Sequence, residues 1–138
     1  MFAEQPLTTK SKAFARCIVK VYRCLNEQRG VHILSKQLLR SGTSIGANIA
    51  EAQYAQSMDD FVSKLTIALK EASESEYWIE LLADSRILSG VEYDSLVADV
   101  RELIRLLNGF RKDRQAELIG VWGSAPPETV HCSLFTNH

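Results

Sequence analysis

Apolar positions along this chain return in steps of three and four. Phe14, Ile18, Val21 and Leu25 form the first such stripe, flanked by Cys17 and Cys24. That spacing keeps side chains on one face of an α-helix. It predicts a helix from about Thr8 to Arg29, stopped by Gly30. A second helix is predicted from about Ile33 to Ala55, with Leu34, Leu38, Ile45, Ile49 and Ala52 inward. The third opens at Ser57, with Asp60 three residues on as in a capping box. Its stripe is Phe61, Leu65, Ala68 with Leu69, Ala72, Ile79 and Leu82, and it ends near Leu88 with Gly90 beyond. The fourth starts near Tyr93. Its Leu96, Val100, Leu103 and Leu107 repeat at 4-3-4, the seam spacing of helical bundles.

Strand-like alternation is absent, and prolines are confined to Pro6, Pro126 and Pro127. Four helices with short connections predict an all-α fold: an antiparallel up-down-up-down four-helix bundle. The expected organisation is an N-terminal arm (1–7), the bundle (8–114) and a C-terminal extension (115–138). The extension is largely irregular; "AELIGVW" within it reads as a last helical turn or a docked segment.

A chain of 138 residues, 46% hydrophobic and 24% charged, can bury a core without metals or disulfides. No apolar run approaches the ~18 residues of a membrane span. The N-terminus lacks a basic stretch followed by an apolar one, so no signal peptide is expected. The three cysteines are Cys17, Cys24 and Cys132. The first two read as small apolar fillers on helix one, which fits a reducing, cytoplasmic setting.

Charge is unevenly placed. Residues 1–53 carry eight basic and three acidic side chains, hence +5; the remainder carries eight and fourteen, hence −6. Lys12, Arg16, Lys20 and Arg23 are spaced 4-4-3 and make one basic stripe on helix one. Lys36 and Arg40 add a pair at i, i+4. Such a stripe can neutralise phosphates of RNA or DNA in a salt-sensitive, sequence-independent way. It can also be a solvated face, or the partner of helix three. That helix sets Asp59, Asp60, Glu71, Glu74, Glu76, Glu80 and Asp84 against Lys64, Lys70 and Arg86. Tyr22 is the one aromatic near the stripe that could stack on a base.

The stretch "SGTSIGANIAEA" (41–52) is rich in small residues. Gly42, Gly46 and Ala50 recur every four positions along one edge of helix two. An interior glycine costs about 1 kcal/mol against alanine, and close approach of another backbone is the usual return. Ser41, Ser44 and Asn48 run beside that edge. They read as hydrogen-bonding partners at a crowded crossing, or alternatively as a polar ligand pocket. A phosphate loop does not fit, since no GxxxxGK[ST] is present and no strand precedes the stretch.

These residues carry a resemblance. Lys36-Gln37-Leu38, Arg40-Ser41, Ser44-Ile45-Gly46-Ala47-Asn48-Ile49-Ala50-Glu51-Ala52, then Ala-Leu-Lys-Glu-Ala and Tyr77-Trp78 are together similar to the four-helix-bundle family of 23S rRNA intervening-sequence proteins. That family includes the accessory variability determinant proteins of diversity-generating retroelements. The resemblance is strong over helices two and three, extends by pattern to helices one and four, and excludes the chain beyond about Gln115. It implies a homopentameric ring. For the retroelement members it implies work with a reverse transcriptase and its RNA. Those members are basic, whereas this chain has a net charge of −1.

Catalytic chemistry finds little support. None of His32, His131 and His138 follows a glutamate by three, so the Glu-x-x-His pattern of bundle metal sites is missing. No cofactor, metal site or small-molecule substrate is expected, and the chain reads as a non-enzyme. Tyr77 and Trp78 are adjacent, so both cannot point inward, and one is a candidate interface anchor. Gly42, Gly46, Asn48, Ala50, Tyr77 and Trp78 are therefore the candidate packing or oligomer residues. The expected function is an oligomeric scaffold that presents basic helix faces to nucleic acid or to a nucleic-acid enzyme. The alternative is a protein–protein module without a nucleic-acid role.

Overall fold

The computed structural model describes residues 6–112 and Phe135. Four α-helices follow one another: α1 (Pro6–Arg23), α2 (Ile33–Ala52), α3 (Met58–Asp84) and α4 (Gly90–Lys112). A single π turn (Cys24–Gln28) prolongs α1. The described residues contain no strand, and the fold is an all-α four-helix bundle.

Contacts fix the direction of each helix. Gly42 meets Ile18 and Gly46 meets Ser11, so α2 runs antiparallel to α1. Ser41 meets Ser75 and Glu51 meets Lys64, so α3 reverses again. Arg29 meets Glu92 and Lys10 meets Glu102, which closes α4 against α1.

The stripes read from the sequence form the core. Phe14, Ile18, Val21, Leu25, Ile45, Ile49, Leu65, Ile79, Leu82, Leu96, Val100 and Leu107 are all 0% exposed. Each such side chain stabilises the fold by about 1.5–3 kcal/mol over leaving it in water. Leu34, Phe61 and Leu69 are only partly buried against this core. Leu7, Phe110 and Phe135 join it as well. Phe135 belongs to the expected extension; the rest of 115–138, with Cys132, His131 and His138, lies outside the described residues, as do residues 1–5.

Helix ends depart from expectation. α1 starts at Pro6, where a proline costs nothing because the first N–H of a helix is unpaired anyway. It widens into the π turn before Gly30, whose φ of +69° makes the stop. α2 ends at Ala52 rather than near Ala55. α3 ends at Asp84, four residues early, because Arg86 takes φ +63°. There the Ile87 N–H donates to the Leu82 carbonyl at 2.9 Å and the Arg86 N–H to Ala83 at 3.0 Å, a Schellman closure with arginine where glycine is usual. Gly90 is therefore not the stop of α3 but the first residue of α4. Ser89 caps α4: its Oγ accepts from the Glu92 N–H at 3.1 Å, and Glu92 Oε1 accepts from the Ser89 N–H at 2.9 Å.

Cys24 is a buried free thiol and fits the filler reading. Cys17, 1% exposed, is disulfide-bonded, so it is not a filler of the same kind, and the two do not pair with each other.

Candidate nucleic-acid interface

α1 carries five basic residues and no acidic one. Lys10 is withdrawn from the surface: it is 4% exposed, and its Nζ lies 3.3 Å from Glu102 Oε1 on α4. Lys12, Arg16, Lys20 and Arg23 are exposed. Among the described residues none of these four enters an ion pair. At about 1.5 Å per residue they form a line of roughly 16 Å, with neighbours about 6 Å apart. Val19, 37% exposed, interrupts the line without closing it.

Several other cations are already engaged. Arg40 bridges α2 to α3, with Nη1 3.3 Å from Glu71 Oε1 and Nη2 on Glu74. Arg101 bridges α4 to α3, with Nε 2.6 Å from Glu76 Oε2 and Nη2 3.3 Å from Glu80 Oε2. Lys64 reaches Glu51 at 3.3 Å. Within the subunit, then, Glu71 and Glu74 of α3 face α2, and Glu76 and Glu80 face α4, not the stripe on α1. Arg40 is thus separated from the four candidates on α1, while Lys36 stays exposed and outside any ion pair among the described residues.

The small-residue edge of α2 lies against α1 of the same chain. A Cβ at Gly42 would stand 2.9 Å from Ile18 Cγ1; one at Gly46 would stand 3.4 Å from the Ser11 carbonyl oxygen. The neighbouring polar groups turn back on their own helix. Thr43 Oγ1 donates to the Leu39 carbonyl at 2.8 Å, Ser44 Oγ to Arg40 at 2.6 Å, and Asn48 Nδ2 to Ser44 at 2.8 Å. Ser41 and Ser75, both fully buried, hydrogen-bond across the α2–α3 contact at 2.8 Å. Ala50 is exposed. Alongside this edge a groove of about 510 Å³ opens between α1 and α2, its walls including Ser11, Lys12, Gly46, Ala50 and Gln53.

The aromatic pair divides as the sequence requires. Trp78 packs partly against the core, and its Nε1 donates to Glu74 Oε2 at 2.9 Å. Tyr77 is 56% exposed, with its ring edge-on to Trp78 at 5.0 Å between centroids. Tyr22 is only half-buried on the side of the stripe, whereas Tyr54, which sequence reasoning passed over, is 84% exposed. Its signal was available: it lies two residues beyond Ala52, the last residue of the stripe on α2, and outside the 3-4 spacing of that stripe.

His32 is exposed at the start of α2 and pairs with Asn26. Among the described residues no three His, Cys, Asp or Glu side chains gather as a metal site, and no helix is long and apolar enough to cross a membrane.

A comparison with curated proteins finds no match. Among solved structures, the chain is similar to a protein of unknown function from the S23 ribosomal protein family of Bacteroides thetaiotaomicron. The two are 48% identical with a TM-score of 0.76, and the match covers 77% of this chain and 95% of the other. The family model of the 23S rRNA-intervening sequence protein matches residues 4–109, which takes in all of α1, α2 and α3 and most of α4. The chain belongs to the 23S rRNA-intervening sequence protein family.

Proposed function

We propose that this protein is a non-enzymatic scaffold that contacts nucleic acid, or an enzyme acting on nucleic acid such as a reverse transcriptase, through the outer face of α1. One observation carries this reading. Lys12, Arg16, Lys20 and Arg23 are exposed and meet no acid among the described residues, while Glu71, Glu74, Glu76 and Glu80 of α3 are met by Arg40 and Arg101. Four cations in a row with no acid on their own helix are a phosphate-binding line whose strength falls with salt. We further propose a homo-oligomeric ring, a homopentamer on the family resemblance, which would repeat that line around its circumference.

A purely protein-binding module is the second reading. It is favoured by Tyr77, an aromatic left 56% exposed beside Trp78, whose own Nε1 is bonded to Glu74. Light scattering after size exclusion, with and without mixed-sequence RNA at low and physiological salt, separates the two. A ring-sized particle that takes up RNA and releases it as salt rises supports the scaffold. The variant Arg16→Gln/Lys20→Gln/Arg23→Gln should then flatten the salt dependence by about two log units per log unit of salt. A particle that ignores RNA at low salt leaves the protein module, and a monomer overturns the ring.

A further inference from the structure

We propose that the nucleic acid is single-stranded, and that the groove between α1 and α2 receives its bases while the α1 stripe holds its phosphates. The proposal rests on the phosphate-binding reading above and adds to it the groove and Tyr54. Lys12 belongs to both features: it lines the groove and is the first cation of the stripe. Gln53 lines the far side of the groove, and Tyr54, 84% exposed, is the next residue. A strand laid along this path meets an exposed aromatic, then a groove, then cations at about 6 Å intervals. A positive track joined to an aromatic platform is how single strands are bound without strict sequence preference.

The chemistry of the groove suits the edge of a base. Ser11 spends its proton on the Thr8 carbonyl at 3.1 Å, and Thr43 on the Leu39 carbonyl at 2.8 Å. Both hydroxyl oxygens are left as acceptors. The Gln53 side chain makes no hydrogen bond among the described residues, and its amide offers a donor and an acceptor together. Acceptors beside an amide fit the amino groups of adenine and cytosine better than the edge of uracil. The bare backbone at Gly46 and the methyl of Ala50 leave the groove open to a flat ring. A duplex cannot use any of this, because its bases stay stacked on one another, whereas unpaired bases splay out onto aromatic faces.

The test is fluorescence anisotropy on the full chain at low salt, with labelled oligoadenylate, oligouridylate and a blunt RNA duplex of equal length. Oligoadenylate is expected to bind about tenfold more tightly than the duplex, and more tightly than oligouridylate. Tyr54→Ala removes an exposed ring and should weaken oligoadenylate about tenfold, with Tyr54→Phe restoring it. Ala50→Leu fills the groove from an exposed position and should do the same. Neither should alter duplex binding or the salt dependence. If both variants bind like the parent while Arg16→Gln/Lys20→Gln/Arg23→Gln still lowers the salt dependence, the groove is refuted and the phosphate line stands. Absence of any binding at low salt sinks both. If Ala50→Leu changes the particle mass instead, the groove holds another copy of the chain, and the single-strand proposal is overturned.

Discussion

Arg29 and Glu92 face each other as a two-pronged ion pair, with Nη1 3.0 Å from Oε1 and Nη2 2.7 Å from Oε2. The same Nη1 lies 2.7 Å from the Ile87 carbonyl, and the same Oε1 accepts the Ser89 N–H. One carboxylate thus caps α4 and fastens it to the end of α1, across a gap of 63 residues in sequence. The Arg29 hydrogen bonds, and to a lesser degree those from Ser89, hold the Glu92 carboxyl below the usual carboxylate range, against the opposing effect of its burial.

Glu92→Gln tests this clasp. Glutamine keeps the capping box but loses the charge, so Arg29 loses its counter-ion in a partly buried place. The expected loss of stability is about 2 kcal/mol near neutral pH, below the roughly 3–5 kcal/mol of a fully buried pair because Arg29 stays partly in water. A carboxyl whose pKa is lowered by folding contributes stability above its unfolded value. That contribution fades as pH falls from the unfolded value through the lower folded one. Chemical denaturation of parent and variant should converge in acid; a gap that persists there would place the role of Glu92 in packing rather than charge.

The two close-packed glycines of α2 should behave oppositely. A methyl at Gly42 would sit 2.9 Å from a fully buried Ile18, which has nowhere to retreat. Gly42→Ala is expected to cost about 1–3 kcal/mol, as overpacked core sites do. A methyl at Gly46 meets its nearest neighbour at 3.4 Å, ordinary contact. Gly46→Ala should therefore show the helix gain, up to about 1 kcal/mol. Melting temperatures moving in opposite directions would settle the comparison.

Arg86 is held at φ +63° to close α3. Left-handed backbone costs a side-chain-bearing residue about 1–2 kcal/mol. Arg86→Gly should relieve part of that and raise the stability by up to about 1 kcal/mol, since glycine gives some back in unfolded-state entropy. Thermal denaturation reads it directly. A lower melting temperature would mean that the Arg86 side chain makes a contact worth more than the strain.

Arg40 and Arg16 should separate cleanly in nucleic-acid titrations. Arg40 is engaged by Glu71 and Glu74 and Arg16 by no acid among the described residues. Arg16→Gln should lower the salt dependence of RNA binding by about 0.7 per log unit, the contribution of one phosphate contact to a single strand. Arg40→Gln should leave it unchanged and shift stability by less than about 1 kcal/mol, as exposed pairs do. Equal effects would mean that Arg40 exchanges its carboxylates for phosphates on binding.

The sequence made the helices legible because burial repeats with the helical period, so Phe14 through Leu25 and Leu96 through Leu107 announce which side faces in. It hid the ends. Gly90 looked like a stop because glycine usually is one, while the real stop is an arginine whose strain is outweighed by two hydrogen bonds. The Ser89–Glu92 cap was readable in Ser-x-x-Glu and was masked by the same glycine. The charge pattern was half legible. In one dimension Arg16 and Arg40 are alike; only the antiparallel register of α2 on α3 brings Glu71 and Glu74 under Arg40. Lys10 stands four residues before Phe14, in register with the buried stripe, so the spacing of α1 separates it from Lys12; only its partner Glu102, 92 residues on, was hidden.

Because α1 carries only basic charge and α3 has seven acids against two lysines, the subunit carries an electric dipole directed across the bundle rather than along it. A polyanion arriving from solution feels a torque before it feels a contact. It is turned toward one flank at distances up to about a Debye length, roughly 10 Å at 0.1 M salt. The orientation of the encounter is thereby selected while both partners are still hydrated, and the flank that is presented is fixed by where Arg40 and Arg101 find their carboxylates.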